Sequence, residues 1–211
     1  MPLEATHIKF ALDVQDKYSV QDVGKYLSGT IYPDSRYVTK IDRALTHGDY
    51  LLSPDFAIDD FKRGWATHFV CDKLFNKITD KNFPEYFNEQ TRAGSETEWW
   101  INKTVLKIIL DIEVLKKFEV QHYLPMLDCL ENPNGEPVEK IKLYHKIIRE
   151  LYEKKETTIK DIEKMWLGLE IDKTLAEKIT KKGGELADNP LLIKKIHALY
   201  DTMLANVDLK T

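Results

Sequence analysis

Between Asp59 and about Lys77, Phe61, Trp65, His68/Phe69, Asp72 and Phe75 recur every three or four residues. That period marks one face of an α-helix and excludes a strand, whose faces repeat every second residue. Helical spacing returns along most of the chain. Residues 3–16 carry Ile8, Ala11, Leu12 and Val14 at helical intervals, and Ser19, with Asp22 three residues on, reads as the N-cap of a short helix ending at Gly29. Thr30–Ser35 reads as a turn, because Pro33 pushes Tyr32 away from helical geometry and Asp34 and Ser35 favour turns. Residues 36–55 look irregular, punctuated by Gly48 and Pro54, and residues 78–97 form a mostly polar connection holding Pro84 and Gly94. A long helix is expected from about Glu96 to Val120, with turns at Pro125 and at Asn132–Gly135. Four amphipathic helices follow over 137–155, 157–169, 172–182 and 189–206, separated at Thr157-Thr158, Gly168 and Gly183-Gly184. No alternating strand pattern and no internal repeat stands out. The expected class is all-α: one domain over 1–211, with residues 1–125 as its functional core and 126–211 as a helical extension.

Composition narrows the setting. A chain of 211 residues with 43% hydrophobic side chains can bury a full core. Lys+Arg at 31 against Asp+Glu at 35 gives a net charge of -4 with mixed signs, so no basic footprint for nucleic acid is present. The Lys/Glu runs at 152–164 and 173–182 read as solvated helix faces. No apolar stretch reaches the 18 or so residues that a membrane span needs. MPLEATHIKFALD lacks the basic and apolar regions of an export signal, so a cytoplasmic location is expected. Cys71 and Cys129, outside any CxxC motif, are expected to be reduced. Oligomeric state is not legible.

The chemistry-bearing residues crowd into the first third. Three of the six histidines, His7, His47 and His68, lie there. His68 and Asp72 are one helical turn apart on one face, a spacing at which imidazole and carboxylate can share an ion. Asp34 follows Pro33 in the turn, His47 lies in Leu45-Thr46-His47-Gly48, and His7 lies in an otherwise apolar stretch. Each has a plainer alternative: a core histidine for His7, an Asx-turn residue for Asp34, a loop residue for His47, a surface contact for the His68/Asp72 pair. Their joint occurrence favours a metal site. His122, His145 and His197 read as isolated, and Trp99-Trp100 as core packing at the start of the long helix or, alternatively, as a cleft wall beside the metals.

In order, His7, then Leu27-Ser28-Gly29-Thr30-Ile31-Tyr32-Pro33-Asp34, then His47, then Gly64-Trp65-Ala66-Thr67-His68-Phe69-Val70-Cys71-Asp72 resembles the zinc-dependent phospholipase C / P1 nuclease superfamily. The likeness is closer to its bacterial phospholipase C-like branch and covers roughly residues 5–115. It implies a multi-helix bundle of that type, with one or two zinc ions. Asp34, His47, His68 and Asp72 would form one metal site, and Asp72 would bridge to a second ion that His7 also holds. It further implies hydrolysis of a phosphoester by a metal-activated water that Asp34 orients or deprotonates.

The sequence departs from the family in three places. The family completes the His7 site with a processed N-terminal tryptophan, whereas six residues precede His7 here. The family's third ion uses a histidine six residues after the bridging carboxylate, and Ile78 occupies that position. It also uses a His-x3-acid pair, for which this chain has Lys107 and Asp111. The Lys107 ammonium is expected to stand in for the missing cation, against Asp111 or a substrate phosphate. A small phosphoester is the expected substrate. The alternative is a catalytically inactive or metal-binding helical protein of the same fold. An HD-domain phosphohydrolase is discarded, since no histidine here is followed by Asp.

Overall fold

The computed structural model describes residues 4–47, 54, 57, 59–87, 96–154 and 156–207. Among them it contains ten α-helices, several 3-10 turns and no strand, so the class is all-α. The chain divides into two compact units, each assembled from two stretches: residues 1–71 with 118–156, and residues 72–117 with 157–211.

The first unit opens with α1 (Glu4–Val14), which runs into a 3-10 turn at Gln15–Tyr18. Ser19 closes that turn with φ 53, a left-handed backbone, so it is not the expected N-cap. An N-cap needs extended backbone, and Asp22 (φ -114, ψ 96) has it: its carboxylate accepts the Lys25 amide at 3.0 Å to start α2 (Val23–Ile31). The expected turn is a 3-10 turn over Tyr32–Ser35, with Pro33 near its start where a missing N–H costs nothing. The stretch read as irregular instead holds two short helices, α3 (Arg36–Thr39) and α4 (Arg43–His47), separated by Lys40 at φ 61. Both are too short for periodicity to reveal. Residues 48–53 and 55 of that stretch, Gly48 among them, lie outside the described residues.

α5 (Asp60–Asn82) is the long helix of the opening pattern, and it continues five residues beyond Lys77. Its first half belongs to this unit and crosses α2 at two glycines. A Cβ on Gly29 would lie 1.9 Å from the Phe61 carbonyl oxygen, and one on Gly64 1.9 Å from that of Tyr26. Only glycine permits backbones this close. Below the crossing, Tyr32, Phe61, Trp65 and Ile141 form a buried cluster against which Phe69, Cys129 and Leu130 pack. Ile141 comes from α7 (Val138–Tyr152), an amphipathic helix that packs against the 3-10 turn Tyr32–Ser35.

The second unit contains the end of α5, α6 (Glu96–Leu115), α8 (Ile159–Gly168), α9 (Lys173–Ala187) and α10 (Pro190–Ala205). α6 is its centre and packs against α9 and α10. Gly183 and Gly184, expected as a break, lie inside α9. Gly183 is buried, and a Cβ there would meet Ile159 Cδ1 of α8 at 3.4 Å, so tertiary packing overrides low helix propensity. Thr158 and Asp161 form a reciprocal capping box at the start of α8. Lys103 of α6 is 4% exposed, with Nζ 2.7 Å from Asp80, 3.0 Å from the Thr79 hydroxyl and 4.6 Å above the Phe87 ring. Cys71 and Cys129 are free thiols, the second pushed above its usual pKa by burial. No helix among the described residues is long and apolar enough to cross a membrane.

Candidate metal centre

Three elements of the first unit each deliver one side chain to a common point. The 3-10 turn brings Asp34, the last residue of α4 is His47, and the middle of α5 brings His68. One ligand atom from each lies within 4.8 Å of the other two. Asp34 is 3% exposed and His68 1%, and the His47 side chain is buried as well.

Hydrogen bonds to the far nitrogens decide what these rings can do. His68 Nδ1 is 2.9 Å from the Thr30 carbonyl oxygen. A carbonyl only accepts, so Nδ1 carries a proton, and in the neutral ring Nε2 keeps the lone pair. His47 Nδ1 is 2.9 Å from the Thr46 hydroxyl, which also reaches the Arg43 carbonyl at 3.4 Å. With the hydroxyl donating to Arg43, it accepts from His47 Nδ1–H, and His47 Nε2 likewise keeps a lone pair. His47 Nε2 then faces Asp34 Oδ1 at 3.7 Å, outside hydrogen-bond range. Two imidazole nitrogens and a carboxylate converging in a largely buried site form a donor set that could hold a metal ion. The hydrogen bonds to Thr30 and Thr46 are the outer contacts that fix ring orientation at such sites.

The surroundings hold this geometry. The Trp65 indole N–H donates to the Thr46 carbonyl at 2.9 Å, tying α4 to α5. The glycine crossing sets α2 and α5 close together and so brings the Thr30 carbonyl within reach of His68. His7 of α1, 2% exposed, stacks on His68 with centroids 4.0 Å apart and planes 7° from parallel. The His47 ring meets His68 edge-on at 5.3 Å.

Two residues that sequence reasoning passed over stand behind the site. Glu4, 1% exposed and one turn before His7, accepts a hydrogen bond from the Tyr144 hydroxyl of α7. Burial, followed by the Glu4 and Asp34 carboxylates, pushes the Tyr144 phenol well above its ordinary pKa, so it remains a donor. The pair spans 140 residues, a separation at which no spacing rule operates. Only the Glu-x-x-His spacing of Glu4 and His7 was legible. Thr30 and Thr46 act through groups that carry no motif.

Asp72 lies one turn beyond His68 on α5, at the start of the second unit. There the Lys107 ammonium is 2.6 Å from its carboxylate, so Lys107 meets an acid that the expected pairing with Asp111 or a phosphate did not name. Asp111, one turn further along α6, is fully buried. Of the remaining histidines, His197 is not isolated: its Nε2 is 2.6 Å from Glu113, a partner 84 residues away. Burial alone would raise the Glu113 pKa, but hydrogen bonds from Lys116 and His197 bring it below the ordinary carboxylate value. His122 is 3.4 Å from Glu119 on the surface, and buried His145 holds the Leu127 carbonyl at 3.0 Å.

In comparisons with protein-family models, curated proteins and solved structures, none matches the chain.

Proposed function

We propose that this chain is a metal-dependent hydrolase acting on a small phosphoester, with Asp34, His47 and His68 as ligands of its divalent ion. The observation that carries the reading is the convergence of two oriented imidazole lone pairs and one carboxylate from three elements. A divalent ion such as zinc would supply water activation at neutral pH and charge neutralisation at phosphoryl oxygens. Asp34 has a second carboxylate oxygen with which to orient a water and accept its proton. The reading agrees with the likeness to the zinc-dependent phospholipase C / P1 nuclease superfamily. From that likeness it takes His7 and Asp72 as ligands of a second ion, with Lys107 and Asp111 beside the substrate. The Lys107–Asp72 pair means that a second ion would have to displace an ammonium group. A cytoplasmic location belongs to the same reading.

One observation favours a second reading. The site is almost sealed, with Asp34 and His68 at 3% and 1% exposure, which suits a structural or binding metal. The test is metal content together with turnover of a chromogenic phosphodiester and monoester. Bound metal and hydrolysis that are both lost in His68→Ala support the hydrolase. Metal without hydrolysis supports the binding protein, and protein that takes up no divalent ion contradicts both.

A further inference from the structure

The geometry points to Tyr144 and Glu4 as a positioning pair that sets the charge behind the metal centre, so that an ion bound by Asp34, His47 and His68 is held against a second, outer carboxylate. This rests on the metal reading above and adds residues that neither the spacing of the motif nor the ligand set contains.

Glu4 and His7 are separated by three positions on α1, which places them on one face of that helix. His7 in turn stacks flat on His68 at 4.0 Å, so α1 presents one ring to the centre and one carboxylate a turn behind it. Tyr144 approaches from α7. Ile141, one turn earlier on that helix, is packed with Tyr32 and Trp65, and α7 lies against the turn that carries Asp34. The phenol thus holds the carboxylate from a helix that packs against the turn supplying the ligand carboxylate.

Charge gives the arrangement its consequence. A divalent ion bound by two neutral imidazoles and Asp34 leaves one net positive charge in a buried region. Glu4 is buried and accepts the Tyr144 hydroxyl, and in its ionised form it would supply one negative charge there. In a low-dielectric interior this balance acts over longer distances than it would in water. Tyr144 restrains the carboxylate and, as a donor, favours its ionised form against the burial that opposes it. Neither residue is a ligand, and neither touches the reacting atoms.

The experiment is a zinc titration of the full chain against a chromophoric chelator at pH 7, comparing wild type with Glu4→Gln, Glu4→Asp and Tyr144→Phe. Circular dichroism melts report the folding of each. Glu4→Gln, which keeps shape and removes charge, is expected to weaken zinc binding on the order of 10-fold through the lost charge. Glu4→Asp restores part of the loss because the charge returns. Tyr144→Phe retains the carboxylate and gives a smaller loss, which keeps the test open should Glu4→Gln fail to fold. Variants that melt earlier but bind zinc as wild type does would reduce the pair to packing and overturn the inference. Wild type that binds no zinc would overturn the metal reading and this inference together, an outcome distinct from the first.

Discussion

His68 Nδ1 and the Thr30 carbonyl oxygen, 2.9 Å apart across two helices, settle which nitrogen of that imidazole faces the candidate centre. The contact depends on backbone, since Thr30 offers its carbonyl, while its hydroxyl donates to the Tyr26 carbonyl at 2.9 Å. No substitution of the Thr30 side chain removes the acceptor. What can remove it is any change that moves α2 away from α5.

Gly64→Ala and Gly29→Ala make that change. Each new methyl would fall 1.9 Å from a backbone carbonyl oxygen that has no rotamer to give way. Either variant is expected to lose about 1–3 kcal/mol or more, at the upper end for overpacked cores. Urea denaturation checks the loss. Divalent metal affinity should fall along with it in the protein that remains folded, because His68 loses its orienting partner.

Thr46→Val tests the other imidazole. Valine keeps the shape of the buried side chain and removes the hydroxyl that His47 Nδ1 meets at 2.9 Å, while the carbonyl that anchors Trp65 stays in place. A drop of roughly 10- to 100-fold in zinc affinity is expected with little change in melting temperature. Isothermal titration calorimetry reads the affinity. Unchanged binding would mean that His47 needs no fixed tautomer.

How much of this was legible in the chain follows from the range over which each signal acts. α5 and its Phe61–Phe75 face were read directly, because a long amphipathic helix announces itself through local spacing. The histidines and Asp34 stood out for a similar reason, being polar residues at apolar or turn positions. α3 and α4 were missed because four or five residues cannot display a 3.6-residue period. Gly183 was misread as a break because its neighbour, Ile159, lies in a different helix. Glu4, Tyr144 and the Glu113–His197 pair were missed because their partners are distant in sequence. The glycines at 29 and 64 stood in the quoted motifs, yet their reason, a backbone crossing, is a property of two helices at once.

His145 gives the fold a pH dependence. Burial pulls its pKa from 6.5 to about 4. The unfolded chain therefore binds a proton between those values that the folded chain does not, and stability rises with pH there. The contribution is full above about pH 6.5 and is lost as pH falls toward about 4, amounting to about 3 kcal/mol. Urea midpoints taken from pH 7 to pH 4 should fall more steeply for wild type than for His145→Gln. Parallel slopes would count against a neutral, buried His145.

Lys103→Met removes a buried ammonium that bonds Asp80 and Thr79 and lies over Phe87. Methionine fills a similar volume and suits the aromatic wall, but the Thr79 hydroxyl loses a donor and the Asp80 carboxylate its ion-pair partner. A loss of about 1–3 kcal/mol is expected, read as an earlier melt. A variant as stable as wild type would show that the aromatic contacts alone suffice.

The most direct measurement is equilibrium dialysis against zinc, with bound metal counted by elemental analysis, for wild type, His68→Ala and His122→Ala. His122 is an exposed surface residue that lies 3.4 Å from Glu119 on its own turn, and it serves as the control. The account predicts one or two ions per chain in wild type and in the control, and loss of the ion held by Asp34, His47 and His68 in His68→Ala. Wild type that retains no ion, or His68→Ala that retains as many as wild type, would contradict it.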